Sequence, residues 1–348
     1  MYLCTMKAVV DDKIPYIQGS IEKIADTVVY LPGNEIGAED VRDADILIVR
    51  TRTRCDRNLL KGSRVQFIAT ATIGYDHIDT EYLKEAGIKW TNCPGCNATS
   101  VAQYVHSCLL LLKRERGLQL NQLTIGIVGV GHVGSAVQKA IAPLGVRILL
   151  NDPPRALKEK GESEVKFCKM QQIQNEADII TFHTPLIQTG DFPTYHLADE
   201  TFFERLKKRP VLINSGRGEV VDNIALLKAI ENKQVSEAII DTWENEPRLN
   251  LLLLNKVYIG TPHIAGYSAD GKANATRMSL EAICKHFGIE AEFHIEAPSL
   301  PSTFIPSADA EELSLQLYNP HHDSNRLKQH PENFEKLRGD YPLRREHL

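Results

Sequence analysis

The sequence predicts an α/β protein that has two doubly wound parallel-sheet domains followed by a small C-terminal segment. Three observations support this prediction. Short apolar strands alternate with helices over residues 6–95, a glycine-rich strand–turn–helix–strand unit occupies residues 123–152, and the alternation then continues to residue 288. Such alternation is typical of parallel sheets whose two faces are covered by helices.

Length and composition exclude several classes of protein. A chain of 348 residues with 43% hydrophobic and 24% charged residues can form two or three globular domains. A net charge of −5 gives no reason to expect a nucleic-acid partner. No apolar run is long enough to cross a membrane, and we expect no signal peptide. Seven scattered cysteines indicate a reducing compartment, so we expect a cytoplasmic protein.

The first predicted domain covers residues 1–97, and residues 270–288 return to it as a helix. Helical segments are predicted at 15–25, 57–60 and 80–86. Five short runs rich in β-branched residues read as the strands between them, at 7–10, 27–30, 45–50, 66–70 and 89–91.

The second predicted domain covers residues 98–269. It opens with a long helix over 98–117, for which Ser100 is the predicted N-cap. An apolar stripe marks the buried face of this helix, at Val101, Val105, Cys108 and Leu112. A second helix is predicted at 222–232. Four strands are predicted after the glycine-rich unit, at 177–183, 210–214, 237–241 and 257–261.

The last segment, residues 289–348, is polar and interrupted by prolines. Residues 292–301 resemble a strand in composition, and residues 332–348 are partly helical in pattern. These residues alone indicate either a third small domain or an oligomerisation arm.

Residues 123–152 predict a dinucleotide-binding site. An apolar strand over 124–128 leads into Gly129-x-Gly131-x-x-Gly134, and an amphipathic helix and a second strand follow. The first glycine permits a tight turn, the second lets the backbone approach a pyrophosphate, and the third lets the helix pack against the strand. The alternative interpretation is an ordinary strand–helix turn that binds nothing.

Side chains and backbone around these glycines predict which dinucleotide binds. The helix N-terminus, including His132 and Val133, can hold phosphates through free N–H groups. Asp152 lies 18 residues past Gly134, where a carboxylate can accept hydrogen bonds from the adenosine ribose. It would repel the additional phosphate of NADP, which favours NAD, although Arg155 lies nearby.

Arg217 is the first candidate for chemistry. It lies between Gly216 and Gly218, directly after a predicted strand, at the edge where α/β folds bind ligands. A guanidinium there can bind the carboxylate of a 2-keto or 2-hydroxy acid in a fork. The alternative is a surface arginine that closes a turn.

His263 is the second candidate, and it also follows a predicted strand. A histidine at this position can exchange a proton with a substrate oxygen while hydride is transferred at carbon. Glu246, in the loop after Asp241, would orient the ring and stabilise the imidazolium. The alternative is a structural histidine, because the sequence does not show that the two side chains meet.

Three segments, INSGRG at 213–218, DTWENEP at 241–247 and TPHIAG at 261–266, resemble those of the D-isomer-specific 2-hydroxyacid dehydrogenase family. The resemblance extends over nearly all of residues 6–288. It implies two Rossmann-like domains with the active site in the cleft between them. It also implies Arg217 as substrate binder, His263 as acid/base and Glu246 as its partner. The NAD contacts that it implies are Asp152, Thr184, Ser215, Gly216, Arg217, Asp241 and Gly266.

Several local patterns resemble a narrower branch of that family, which oxidises 4-phospho-D-erythronate in vitamin B6 synthesis. They lie at residues 49–51, 69–72, 92–98, 183–185 and 263–267. This resemblance implies a phosphorylated 2-hydroxy acid as substrate, with contacts at Thr51, Thr72 and Tyr267. It further implies that residues 289–348 form an α+β dimerisation domain of a homodimer. The chain ends at Leu348, earlier than we expect for that added segment.

A substrate phosphate needs cationic side chains. Arg50, Arg52 and Arg54 alternate along a predicted strand end and would share one face, with Arg50 the preferred phosphate ligand. The alternative is that these charges are solvent-exposed. The tail arginines could instead reach a partner subunit's site, namely Arg338, Arg344 and Arg345.

Other interpretations stay open. Cys93 and Cys96 form a C-x-x-C pair, but a zinc ribbon needs a second pair and no redox dithiol is required, so we expect no metal. The substrate could be phosphoglycerate, hydroxypyruvate or glyoxylate. The protein could also be a dinucleotide-sensing binding protein without catalytic activity.

Overall fold

The computed structural model describes residues 5–160 and 165–347 and divides them into two compact units. The first unit contains the described residues up to Asn97 together with Ser268–Leu300, and the second contains those of Ala98–Tyr267 and Pro301–His347. Each unit is built on one parallel sheet, which confirms the predicted α/β class. Within the described ranges, no helix has both the length and the hydropathy needed to span a membrane.

The described residues contain eleven strands and fourteen α-helices. The strands are β1 Lys7–Asp11, β2 Thr27–Leu31, β3 Ile46–Val49, β4 Phe67–Thr70, β5 Lys89–Thr91, β6 Thr124–Val128, β7 Arg147–Asn151, β8 Ile179–Phe182, β9 Val211–Asn214, β10 Glu237–Ile240 and β11 Ile259–Gly260. The helices are α1 Ala38–Val41, α2 Arg57–Leu60, α3 Thr80–Ala86, α4 Ala98–Arg116, α5 His132–Ile141, α6 Pro153–Lys158, α7 Met170–Glu176, α8 Glu200–Glu204, α9 Asn223–Glu231, α10 Leu251–Lys256, α11 Ala269–Phe287, α12 Ala310–Leu317, α13 Pro320–Gln329 and α14 Phe334–Gly339.

The first unit has a five-stranded parallel sheet in the order β2-β1-β3-β4-β5. All four residues of β3 are fully buried, as expected for a strand that is covered on both faces. The predicted helix over 15–25 is wrong, since only Ile21–Lys23 forms a 3₁₀ turn. Positive φ angles at Tyr16 and Gly19 interrupt any longer helix, although Ile17 and Ile21 are buried at helical spacing.

The second unit has a six-stranded parallel sheet in the order β11-β10-β9-β8-β6-β7. The chain starts at β6, adds β7 on one side and then crosses to add β8 on the other. Open sheets of this kind bind nucleotides where the strand order reverses, beyond the carboxyl ends of the strands. The carboxyl ends of β6, β8, β9, β10 and β11 therefore define the edge on which ligands are expected.

Helix α4 opens the second unit, and its apolar stripe is buried as predicted. The prediction that Ser100 caps this helix is wrong, because the helix already begins at Ala98. Ser100 lies in the first turn, where its hydroxyl donates to Glu346 Oε1 at 2.6 Å. The tail of the chain therefore packs against the start of α4.

The tail divides between the two units and contains no strand in its described part, residues 289–347. The predicted strand over 292–301 is therefore wrong. Pro298 and Pro301 cannot donate to a sheet, and the Ile295 carbonyl accepts from Arg277 at 3.1 Å while its side chain fills the core of the first unit. Residues 301–347 carry α12, α13 and α14 instead.

Candidate active site

The glycine turn after β6 has the shape of a phosphate-binding loop. Gly129 has a φ of +85°, and a Cβ there would lie 2.8 Å from the backbone of Thr184. A Cβ on Gly134 would overlap the Gly129 carbonyl oxygen. Gly131 is the N-cap of α5, and a Cβ there would meet no heavy atom within 4 Å. The motif is therefore tight at its two outer glycines and open at the middle one, where a ligand can approach.

Asp152 links the two strands of the glycine unit. Its Oδ2 accepts the Val130 N–H at 2.8 Å, and its Oδ1 caps α6 by accepting the Arg155 N–H at 3.0 Å. The Arg155 guanidinium pairs with Glu159 at 2.7 Å and donates to the Val130 carbonyl. Arg155, the cation that the sequence places near this carboxylate, is thus engaged with Glu159, which leaves the preference for NAD intact.

The segments that follow β8 and β9 lie beside the glycine turn, at the carboxyl edge of the second sheet. His183 bridges the two, with Nε2 2.9 Å from Thr181 Oγ1 and Nδ1 3.3 Å from Ser215 Oγ. Burial lowers the pKa of His183 to about 3, so this ring is neutral. Thr184 Oγ1 is buried without a hydrogen-bond partner in the described chain. An unsatisfied hydroxyl beside an open glycine turn fits a bound dinucleotide.

Glu246 and His263 form a hydrogen-bonded pair. His263 Nδ1 lies 2.8 Å from Glu246 Oε2, and Glu246 Oε1 accepts the Trp243 N–H at 2.9 Å. Burial alone would raise the pKa of Glu246, but the hydrogen bond and charge of His263, with Trp243 and Arg338, lower it below its ordinary range. A carboxylate on Nδ1 leaves Nε2 to exchange a proton with a substrate. The structure thus brings together the two residues that the sequence could only suggest as partners.

Asp241 organises the turn that presents His263. Its carboxylate accepts the Thr261 hydroxyl at 2.6 Å and the N–H groups of Ile264 and Ala265 at 2.8 and 2.9 Å. Its carbonyl accepts the His263 N–H at 2.8 Å, and His263 itself has a left-handed φ of +55°. Burial raises the pKa of Asp241, against the charge of His263 and these hydrogen bonds. The sequence predicted that Asp241 contacts NAD, but it did not predict that Asp241 holds the turn of His263. This turn leads directly into Gly266.

Arg217 follows β9 on the same edge of the sheet. It is half-buried and extended, donates from its guanidinium to the Gly216 carbonyl at 3.0 Å, and accepts at its own carbonyl from Asn214. A Cβ on Gly218 would overlap the backbone of Trp243. This close packing ties the arginine segment to the loop that carries Glu246. A surface arginine at a simple turn would not need such packing.

The predicted substrate residues of the first unit lie in two clusters at the ends of β3 and β4. Thr72 Oγ1 lies 2.8 Å from Thr70 Oγ1 and donates to the Gly74 carbonyl at 2.9 Å, and His77 Nε2 lies 2.9 Å from Thr70. Burial lowers the pKa of His77. Arg50 binds both carboxylate oxygens of the buried Asp11 at 3.2 Å.

The predicted strand alternation of Arg50, Arg52 and Arg54 is wrong. β3 ends at Val49, and the residues after it form a turn in which Thr51, Arg52 and Arg54 are exposed. Because no strand holds them, the alternation gives no reason for the three arginines to share a face. Of the three, Arg50 alone is half-buried.

Two tail arginines lie against the turn that carries His263 in their own chain. Arg344 is 3% exposed and donates to the carbonyls of Ile264 and Ser100 at 3.2 and 2.6 Å. Arg338 donates to the Tyr267 hydroxyl at 3.3 Å. The sequence suggested a partner subunit for these arginines. In the sequence, the clustering of arginines near residue 340 was the one feature that drew attention to them.

The C-x-x-C pair has a packed environment. Cys93 and Cys96 are buried, and Cys93 Sγ lies 3.2 Å from the Ala275 carbonyl and 3.4 Å from Ser279 Oγ. Burial raises the pKa of the Cys93 thiol, although Ser279 opposes this. A buried thiol of raised pKa is a poor nucleophile and a poor metal ligand.

Comparisons with known proteins agree with this geometry. The NAD-binding domain model of the D-isomer-specific 2-hydroxyacid dehydrogenases matches residues 102–265. Erythronate-4-phosphate dehydrogenase of Bacteroides thetaiotaomicron is 58% identical over 341 residues, covering 98% of this chain and 97% of that protein. The enzyme of that name from Porphyromonas gingivalis is 42% identical over 349 residues, covering 98% and 94%.

A solved structure has a similar fold. D-Lactate dehydrogenase from Aquifex aeolicus, complexed with NAD and lactic acid, superposes with a TM-score of 0.65 at 25% identity, covering 81% of this chain and 96% of that one. High identity over nearly the full length of the curated relatives goes well beyond a shared fold. The chain belongs to the erythronate-4-phosphate dehydrogenases, a branch of the D-isomer-specific 2-hydroxyacid dehydrogenase family.

Proposed function

We propose that the protein oxidises 4-phospho-D-erythronate at C2 with NAD, giving (R)-3-hydroxy-2-oxo-4-phosphooxybutanoate for pyridoxal 5′-phosphate biosynthesis. The name of its relatives supports this substrate. Within the structure, the observation that carries the proposal is the 2.8 Å contact between Glu246 and His263 on the ligand-binding edge of the second sheet.

His263 acts as the general base in this direction. Its Nε2 takes the proton of the C2 hydroxyl, and its Nδ1 stays hydrogen-bonded to Glu246. The negative charge of Glu246 stabilises the imidazolium that forms and fixes the plane of the ring. When bound, NAD supplies the hydride acceptor. In the reverse direction the same imidazolium returns its proton to the carbonyl oxygen.

Arg217 binds the substrate carboxylate through its guanidinium fork. In the second unit Tyr267 also contacts the substrate. In the first unit we propose Arg50, Thr51 and Thr72 as contacts, with Arg50 on the phosphate. Asp11 holds Arg50 in place through two hydrogen bonds and leaves further N–H donors of the guanidinium for an anion.

The cofactor is held by the edge of the second sheet. Gly129, Gly131 and Gly134 let the pyrophosphate approach the N-terminus of α5, where the first N–H groups, including those of His132 and Val133, have no partner within the helix. Asp152 binds the adenosine ribose. We propose the remaining contacts at Thr184, Ser215, Gly216, Arg217, Asp241 and Gly266.

Formation of NADH by the purified protein tests the activity. We expect turnover of 4-phospho-D-erythronate with a kcat/KM ~10²-fold above that of 3-phosphoglycerate, glycerate or glycolate, because a site that binds a polar group discriminates against acids that lack or misplace it. His263→Ala should lower turnover of 4-phospho-D-erythronate by ~10³-fold, because it removes the general base. Preferred oxidation of another of these acids would replace the proposed substrate, and NAD binding without any turnover would favour the non-catalytic alternative.

We further propose a cytoplasmic homodimer whose interface includes residues 289–348. The six cysteines of the described chain are free thiols, which suits a reducing compartment. The molar mass of the intact protein in solution tests the assembly, with twice the 39.0 kDa of one chain expected. Removing the tail would not be a fair test, since Leu327 and Phe334 are fully buried in the core of the second unit.

A further inference from the structure

Arg338 of the tail lies beside the catalytic turn. It is on α14, and its guanidinium lies 5.8 Å from the ring centre of Tyr267 and 5.7 Å from that of Phe334. It donates to the Tyr267 hydroxyl and to Glu335, each at 3.3 Å. The side chain is 22% exposed, and its Nε–H is buried without a partner in the described part of the chain. A guanidinium between two aromatic rings is held in one place.

The charge of Arg338 also reaches the catalytic pair. Arg338 is among the groups that lower the pKa of Glu246, after the hydrogen bond and charge of His263. Burial alone would lower the pKa of Arg338. The negative charge of Glu246, together with those of Tyr267 and Glu335, raises it instead. The two effects are reciprocal, as they must be for one electrostatic interaction. The tail thus places a fixed cation near the carboxylate on which His263 depends.

We propose that Arg338 is a positioning residue of this active site, which anchors Tyr267 and holds a positive charge against the turn that carries His263. The proposal rests on the function proposed above. It adds that the tail takes part in catalysis within its own chain.

The proposal has a consequence for the pH dependence of oxidation. Two charged groups lower the pKa of Glu246, namely His263 from the turn after β11 and Arg338 from α14. Glu335 and Tyr267 in turn raise the pKa of Arg338, and the charge of His263 lowers the pKa of Asp241 against the effect of burial. Oxidation requires the pair to have lost its proton. Removing the positive charge of Arg338 favours protonation, so the acidic limb of kcat/KM should move to higher pH.

Three variants test this consequence. Arg338→Gln removes the charge, Arg338→Lys retains it, and Lys336→Gln removes an exposed cation from the same helix. We expect Arg338→Gln to raise the acidic limb by roughly half a pH unit, which is about a threefold loss of kcat/KM below the limb. Arg338→Lys should retain most of the wild-type pH profile because it keeps the charge, and Lys336→Gln should leave the profile unchanged.

A second measurement does not depend on the substrate. The titration of the Glu246 carboxyl carbon can be followed by NMR after labelling of glutamate and assigned against Glu246→Gln. In Arg338→Gln the pKa of Glu246 should rise. If this rise occurs without turnover of 4-phospho-D-erythronate by the wild type, the substrate assignment fails and the positioning role stands. An unchanged Glu246 titration in folded Arg338→Gln, or equal losses in the Gln and Lys variants without a shift, would overturn the positioning role.

Discussion

The proposed cofactor cradle and the proposed catalytic pair lie on the same edge of one sheet, yet they are built by different physical means. The cradle, Gly129 to Gly134, depends on the absence of a side chain at three of its six residues. The pair of Glu246 and His263 depends on charges and hydrogen bonds that reach from β10 and β11 to the tail. One region is therefore defined by shape and the other by electrostatics.

This difference separates the expected effects of mutations. A substitution in the cradle should change cofactor affinity at every pH, because it changes packing. A substitution in the pair should change the rate and its pH dependence while the cofactor still binds. This distinction is wrong if a cradle substitution changes the pH dependence of the rate, or if a substitution in the pair prevents cofactor binding.

The largest effects are expected in the pair. His263→Ala should lower kcat by ~10³-fold, because general acid–base catalysis contributes ~10²–10⁴-fold, and Glu246→Gln should lower it by ~10²-fold. Both variants should bind NAD with the wild-type Kd, measured by quenching of protein fluorescence. His294→Ala, which removes an exposed histidine, serves as the control and should leave kcat unchanged.

Loss of NAD binding in His263→Ala would contradict this separation of chemistry from binding. So would a kcat for Glu246→Gln equal to that of the wild type, since the 2.8 Å contact would then have no catalytic role. For either comparison, the variant must have the same unfolding temperature as the wild type, so that a loss of activity or binding does not reflect unfolding.

The sequence predicts the cradle and the strands well because both depend on neighbouring residues. The central strands of a parallel sheet are continuous apolar runs, so β6 matches its predicted bounds. The glycine motif is local in the same sense. In contrast, the predicted helix over 15–25 failed on backbone angles at two residues, which composition does not specify.

The environment of the pair could not be predicted in the same way. Arg344 reaches the Ile264 carbonyl across 80 residues of chain, and Arg338 reaches Tyr267 across 71. No periodicity records such contacts, because they arise only when the tail packs on the second unit. The sequence could nominate Glu246 and His263 as partners, but the hydrogen bonds of Asp241 that present His263 follow from the fold alone.

Smaller effects are expected in the cradle, where two glycines make a matched pair. Gly134→Ala should lower the free energy of unfolding by about 1–3 kcal/mol, because its Cβ would overlap the Gly129 carbonyl oxygen and the turn must shift. Gly131→Ala should leave stability within about 0.5 kcal/mol, since its Cβ meets nothing within 4 Å. Thermal and urea unfolding measure both changes.

Cofactor binding distinguishes the two reasons for having glycine. Gly131→Ala should still weaken NAD by on the order of tenfold, about 1.4 kcal/mol, because the methyl group enters the space that we assign to the pyrophosphate. The weakening should be the same at pH 6 and pH 9, in contrast to the variants of the pair. A Gly131→Ala protein that binds NAD as tightly as the wild type would place the pyrophosphate elsewhere on the edge, and the open space at this glycine would then be only a feature of the turn.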